Sequence, residues 1–164
     1  MADAMDEPLE PVLVSACLLG RTCRYDGRHN RDGVLEDQLA REGLRAVPFC
    51  PEEQGGLGTP RPPAWIAGGA ADDVLDGRAR VVTDAGADVS AQFLAGARGA
   101  LAACRAQGIA RAFLKERSPS CGVACTHVDD AVTPGPGVTA ALLAREGVAV
   151  VGVEGRREGP TGAR

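Results

Sequence analysis

Val12-Leu13-Val14-Ser15-Ala16, followed at once by Cys17, is an apolar run too short for a helix and reads as a buried strand that ends on a cysteine. A loop of turn-forming residues comes next, with Gly20, Arg24, Asp26 and Gly27. The same layout returns further along. Leu44 to Phe49 reads as a strand running into Cys50-Pro51, and Ile109 to Leu114 as a strand running into Lys115-Glu116-Arg117-Ser118-Pro119-Ser120-Cys121-Gly122. Val148 to Val153 makes a last buried strand.

Helices are expected between these strands. Val34 to Glu42 suits a short one stopped by Gly43. Asp88 to Gln107 is the clearest, because Val89, Phe93, Ala97, Leu101 and Cys104 recur every three or four positions and Gly108 ends the run. Val138 to Glu146 is a further amphipathic helix, and Arg78 to Thr83 a short edge strand. Gly55 to Pro63 is too rich in Gly and Pro for regular structure and reads as a long ordered loop. Alternating short strands and helices predict an α/β fold: a single Rossmann-like domain with a mostly parallel sheet flanked by helices. The domain is expected over residues 11–154, with flexible tails at 1–10 and 155–164.

A chain of 164 residues can bury a core of its own, and 45% hydrophobic with 24% charged residues is ordinary for a globular protein. The net charge of -4, from 18 basic and 22 acidic residues, argues against salt-driven binding to phosphate backbones. Aromatic residues at 3% argue against a stacking surface for single-stranded nucleic acid. Met1 to Glu10 is acidic and lacks the pattern of a secretory signal, and no apolar run approaches a membrane span. The expected location is the cytoplasm. Six cysteines in such a chain read as metal-binding or catalytic rather than as a disulfide framework.

In open parallel sheets the loops after the carboxyl ends of the strands converge on one edge, where ligands bind. That topology brings Cys17, Cys50 and Cys121 to one place, and three thiolates around a point suit a metal centre with one coordination position open. Arg24 and Lys115 are nearby cations that favour thiolates. The chain has no tight Cys-x-x-Cys pair, and the plain alternative is that buried cysteines simply pack. Packing fits Cys104, on its apolar helix stripe. Cys23 and Cys125 sit at Cys-x5-Cys and Cys-x3-Cys spacings from proposed ligands and read as packing or supporting residues, with ligation or sulfur acceptance as alternatives. His29 and His127, the only histidines, belong to no hydrolase motif, and no Gly-x-Gly-x-x-Gly opens a helix.

These residues resemble a known family. Val14-Ser15-Ala16-Cys17-Leu18-Leu19-Gly20 with Cys23-Arg24-Tyr25-Asp26-Gly27 is similar to the opening block of the thiouracil desulfidases. Cys50-Pro51-Glu52, Gly55-Gly56-Leu57 and Thr59-Pro60-Arg61-Pro62-Pro63 resemble the second block, and Leu114-Lys115 with Ser118-Pro119-Ser120-Cys121-Gly122 the third. Gly135 and Gly137-Val138-Thr139-Ala140 resemble the closing helix. The blocks run in the expected order from residue 12 to about 152.

The resemblance implies a [4Fe-4S] cluster held by Cys17, Cys50 and Cys121, with one open iron that captures the sulfur of a thiolated pyrimidine. It implies non-redox hydrolysis that puts oxygen in place of the thiocarbonyl sulfur of a 2-thiouracil, 4-thiouracil or 4-thiouridine type substrate and releases sulfide. Glu52, two residues from Cys50, is the expected acid/base group, and Ser118 the expected partner that orients base or water. Tyr25, Asp26, Lys115 and Ser120 are expected at the substrate; for several of them a turn or capping role is the plain alternative.

The expected partner is a small thiolated base or nucleoside, with thiolated tRNA as the larger alternative, for a monomer or homodimer and no membrane. Two departures bear on substrate preference. Trp65 stands where the family commonly has Glu, and Cys125-Thr126-His127-Val128-Asp129 replaces an aromatic-containing segment. The rival readings are a cluster protein for electron transfer, sulfur carriage or redox sensing, and a structural zinc module.

Overall fold

Strand β1 (Glu10–Ser15) is the hub of the architecture. In the computed structural model, which describes residues 8–158, it pairs in parallel with β2 (Leu44–Phe49) from Glu10↔Leu44 to Ser15↔Phe49. Its other edge pairs in parallel with β5 (Arg111–Lys115), which in turn pairs with β8 (Ala149–Val153). The four strands form one parallel sheet in the order β2-β1-β5-β8.

Helices cover both faces, and strand alternation decides which residue meets which helix. Val12, Val14 and Phe113 point to one side, where Leu35 and Leu39 of α1 (Gly33–Arg41) pack on them. Leu13, Ala112 and Leu114 point to the other, against Ala100, Leu101 and Cys104 of α4 (Ser90–Gln107) and Ala140 and Leu143 of α5 (Val138–Arg145). Both faces being buried is why these strands read as unbroken apolar runs. Asp32 caps α1 by accepting from Leu35 N at 2.9 Å, and Gly108 ends α4 in the left-handed region at φ 66°. The boundaries of the elements read from the sequence lie within two residues of those observed.

A second sheet was not expected. It holds β3 (Ala64–Ala67), β4 (Arg80–Thr83), β6 (Cys125–Val128) and β7 (Ala131–Pro134) in the order β4-β3-β6-β7. Its β3–β4 and β6–β7 pairs are antiparallel, and β3–β6 is parallel. β4 is the edge strand read from the sequence; the other three are four-residue strands, too short to show a period. Ile66 and Val81, with Ala71 and Val74 of α3 (Ala71–Leu75), pack on Val89 and on Phe93 and Ala97 of α4. Helix α4 therefore serves two cores, with its first half on the small sheet and its second on the parallel one.

A short helix, α2 (Pro51–Gln54), follows β2 directly and crosses α4 at close range. A Cβ on Gly96 would stand 2.0 Å from the Pro51 carbonyl oxygen, so only glycine allows this approach. Of the expected tails, residues 1–7 and 159–164 lie outside the described residues, and Glu10 already begins β1. Residues 155–158 are tied down: Gly33 N donates to Arg157 O at 2.7 Å and Arg157 Nε to Asp32 Oδ2 at 2.7 Å. Among the described residues no helix is long and apolar enough to cross a membrane.

Candidate active site

The carboxyl ends of β1, β2 and β5 open onto one cavity of about 480 Å³. Cys17, in a 3₁₀ turn (Ala16–Leu19) after β1, lines it together with Cys50 at the end of β2 and Cys121 in the loop after β5. Cys23 lines it too, whereas Cys125, the first residue of β6, does not, and Cys104 is buried in the core against the parallel sheet. All six cysteines carry free thiols.

Cys23 is more central than its reading as a supporting residue suggested. It is 2% exposed, and its thiol lies within hydrogen-bonding reach of both Cys17 and Cys50. Those bonds, with burial, hold Cys23 far above the usual thiol range. The same bonds favour the thiolate in its neighbours. Cys23, with help from the Asn30 amide and the Lys115 charge, brings Cys17 down to about 7 against the cost of burial. Cys50 is lowered by Cys23 and by the Glu53 backbone N–H. Cys121 is buried, and burial pushes it up to about 12 although the Ser15 and Ser120 hydroxyls beside its sulfur favour the thiolate.

Asn30 is a residue the sequence reading missed. Its Nδ2 donates to Cys17 Sγ at 3.4 Å, while its Oδ1 accepts from Arg24 at 3.0 Å and Arg156 at 3.0 Å. The two guanidiniums fix the amide so that its N–H₂ faces the sulfur. Nothing in a lone Asn after Gly27-Arg28-His29 signals this, because the third partner comes from the C-terminal segment.

Glu52 leaves α2 toward the cavity. Arg61 Nε donates to its Oε1 at 2.9 Å, and Ser120 Oγ donates to its Oε2 at 3.0 Å. Both partners of the ion pair are largely buried, with side chains 14% and 7% exposed. Ser118 Oγ lies 3.1 Å from Ser120 Oγ. Since the single Ser120 proton goes to Glu52, Ser118 is the donor in that contact. Ser118 Oγ also accepts from the backbone N–H of Ser120 at 3.2 Å and Cys121 at 3.0 Å, so it is a turn serine as well as a cavity residue.

The loop carrying Cys121 is anchored from behind. The buried Glu116 carboxylate accepts from the backbone N–H groups of Val123, Ala124 and Cys125 at 2.9 to 3.3 Å. Gly122 is required here, for a Cβ would meet Cys125 O at 2.2 Å. Lys115 lines the cavity, with Nζ donating to Glu116 O at 2.8 Å and burial lowering its pKa.

Tyr25 lines the outer part and is 45% exposed. Asp26 does not line the cavity; it pairs with Arg24 at 2.9 Å and accepts from Arg28 N at 3.1 Å, holding the turn. Trp65 does line it: on β3 the next residue, Ile66, is fully buried in the core, which turns the indole the other way. The chain's only tryptophan and only tyrosine thus border the same cavity.

The 2-thiouracil desulfurase family matches residues 12–154. A solved structure described as the [4Fe-4S]-dependent thiouracil desulfidase TudS superposes with a TM-score of 0.75 at 45% identity, over 87% of this chain and 90% of that one. The uncharacterized protein YbbK of Bacillus subtilis (strain 168) is 42% identical over 144 residues, 85% of this chain and 93% of its own. The chain belongs to the 2-thiouracil desulfurase family.

Proposed function

We propose that the protein is a cytoplasmic, iron–sulfur-dependent desulfidase. Its substrate is a small thiolated pyrimidine base or nucleoside whose thiocarbonyl sulfur is replaced by oxygen in a single unit spanning residues 11–154. The overall change consumes one water and releases sulfide as H₂S, with no electron donor or acceptor. The observation that carries the reading is that three cysteine thiols and the Ser118–Ser120–Glu52 hydrogen-bond chain border one cavity in a member of this family.

The residues fit a [4Fe-4S] cluster. Thiolate is the ligand such clusters use, and Cys17, Cys50 and Cys121 offer three thiols to one space. These three are the ligands we assign. When bound, an iron with an open position supplies a soft Lewis acid for the thiocarbonyl sulfur.

The protein's own groups then do the rest. Glu52 takes the proton of the attacking water, being aimed into the cavity by Arg61 on one oxygen and Ser120 on the other. Ser118 and Ser120 connect that carboxylate to the Cys121 loop and provide the path for returning the proton to the departing sulfur or ring nitrogen. Lys115 contributes positive charge opposite the thiolates, and Trp65 and Tyr25 give flat faces suited to a pyrimidine ring.

The test is anaerobic reconstitution with iron and sulfide, followed by incubation with 2-thiouracil and with 4-thiouridine. Stoichiometric sulfide and oxo-base are expected. A stable cluster with neither product for either substrate would overturn the desulfidase reading in favour of electron transfer or sensing.

A further inference from the structure

Cys23, Cys50 and Glu53 bring two thiol sulfurs and a carboxylate oxygen within 4.8 Å of one another. None of the catalytic roles above uses Cys23 or Glu53. We propose that, in the cluster-free protein, these three side chains form a distinct site for a single soft divalent ion of the zinc type. Because Cys50 belongs to both ligand sets, occupation by one ion and assembly of the cluster exclude each other.

The chemistry and the dimensions both suit it. Zinc takes thiolate and carboxylate donors, and tetrahedral bonding sets neighbouring donors about 3.6 to 3.8 Å apart. Drawing the three donors together around an ion therefore needs shifts of at most about an ångström. A water from the adjoining cavity can take the fourth position, since Cys50 and Cys23 both line that space.

The surroundings are already arranged. The Thr59 hydroxyl donates to one oxygen of Glu53, which orients the carboxylate as partners of metal ligands do. Arg61 donates to the Cys23 carbonyl at 2.8 Å and to Glu52 at 2.9 Å, placing a cation beside a ligand set that carries one charge more than the ion neutralises. Cys121 and Glu52 lie outside this set. That separation makes the two metal states distinguishable by mutation.

The proposal touches the desulfidase reading only through the shared Cys50, and its test needs no turnover. Cluster-free protein, prepared anaerobically, is titrated with Co²⁺ as the probe, and thiolate charge-transfer and tetrahedral d–d bands are recorded. One equivalent is expected to bind, and Zn²⁺ to displace it. Cys121→Ser is expected to keep this spectrum while failing to assemble a cluster. Cys23→Ser and Glu53→Gln are expected to weaken Co²⁺ binding at least tenfold while still assembling a cluster, which also shows that they fold. Absence of tetrahedral Co²⁺ bands in the parent protein, or binding lost in Cys121→Ser but unchanged in Cys23→Ser and Glu53→Gln, overturns the proposal. Loss of desulfidase activity alone leaves these spectra unaffected and bears only on the function proposed above.

Discussion

Ser120 donates its hydroxyl proton to Oε2 of Glu52 across 3.0 Å, joining residues 68 positions apart in the chain. The bond links the short helix after β2 to the loop after β5, so the acid/base group and the Cys121 loop are positioned as one unit. It also sets the direction of the whole serine chain, because Ser120 has one proton to give.

Glu52→Gln removes the base while keeping the shape. Turnover is expected to fall by about 10² to 10⁴, the usual contribution of a general acid or base. Iron content per chain and the cluster absorbance are expected to stay at the parent level. Retained turnover with intact cluster would remove Glu52 from the mechanism.

The two serines are expected to separate. Ser120→Ala cuts the link to Glu52 but leaves Ser118 with both of its backbone N–H partners, so kcat falls while iron retention holds. Ser118→Ala removes the acceptor for two N–H groups at the Cys121 turn. Both kcat and iron retention are expected to fall, together with a loss of about 1 to 3 kcal/mol of stability in urea unfolding.

Trp65 offers a direct reading of substrate binding because it is the only tryptophan. Its fluorescence is expected to be quenched on adding 2-thiouracil. Stacking on a base is worth about 1 to 3 kcal/mol, so Trp65→Ala is expected to raise KM by about 5- to 150-fold with kcat little changed. Unchanged KM would place the base elsewhere in the cavity.

Arg156 supports Cys17 at one remove, through Asn30. Arg156→Ala and Asn30→Ala are both expected to speed iron loss to a chelator several-fold, measured by bleaching of the cluster band under argon. The double variant is expected to be no worse than Asn30→Ala alone, because the two residues act in series.

Much of the parallel sheet was legible because its strands are buried on both faces and its helices carry a clear period, as Phe93, Ala97, Leu101 and Cys104 show. The small sheet was not. β6 and β7 are only four residues long and mostly exposed or half-buried, and β3 follows a Pro-rich loop, so pairing partners supply what periodicity cannot. In the candidate site, Cys17, Cys50, Cys121, Glu52, Ser118, Ser120, Lys115 and Tyr25 all border the cavity, while Asp26 turns away to Arg24.

Residue order alone told which chemistry the chain can support: thiols at the ends of three apolar strands, a carboxylate next to one and serines next to another, in an order that marks the family. These are properties of local pattern, and topology rules carry them to one sheet edge. Folding in three dimensions set how those groups are connected. It set Cys23 between Cys17 and Cys50, turned Trp65 to the cavity, passed the Ser120 proton to Glu52, and brought Arg156 back to orient Asn30. Each of these depends on distance and direction between segments remote in sequence, which packing fixes and residue order alone does not.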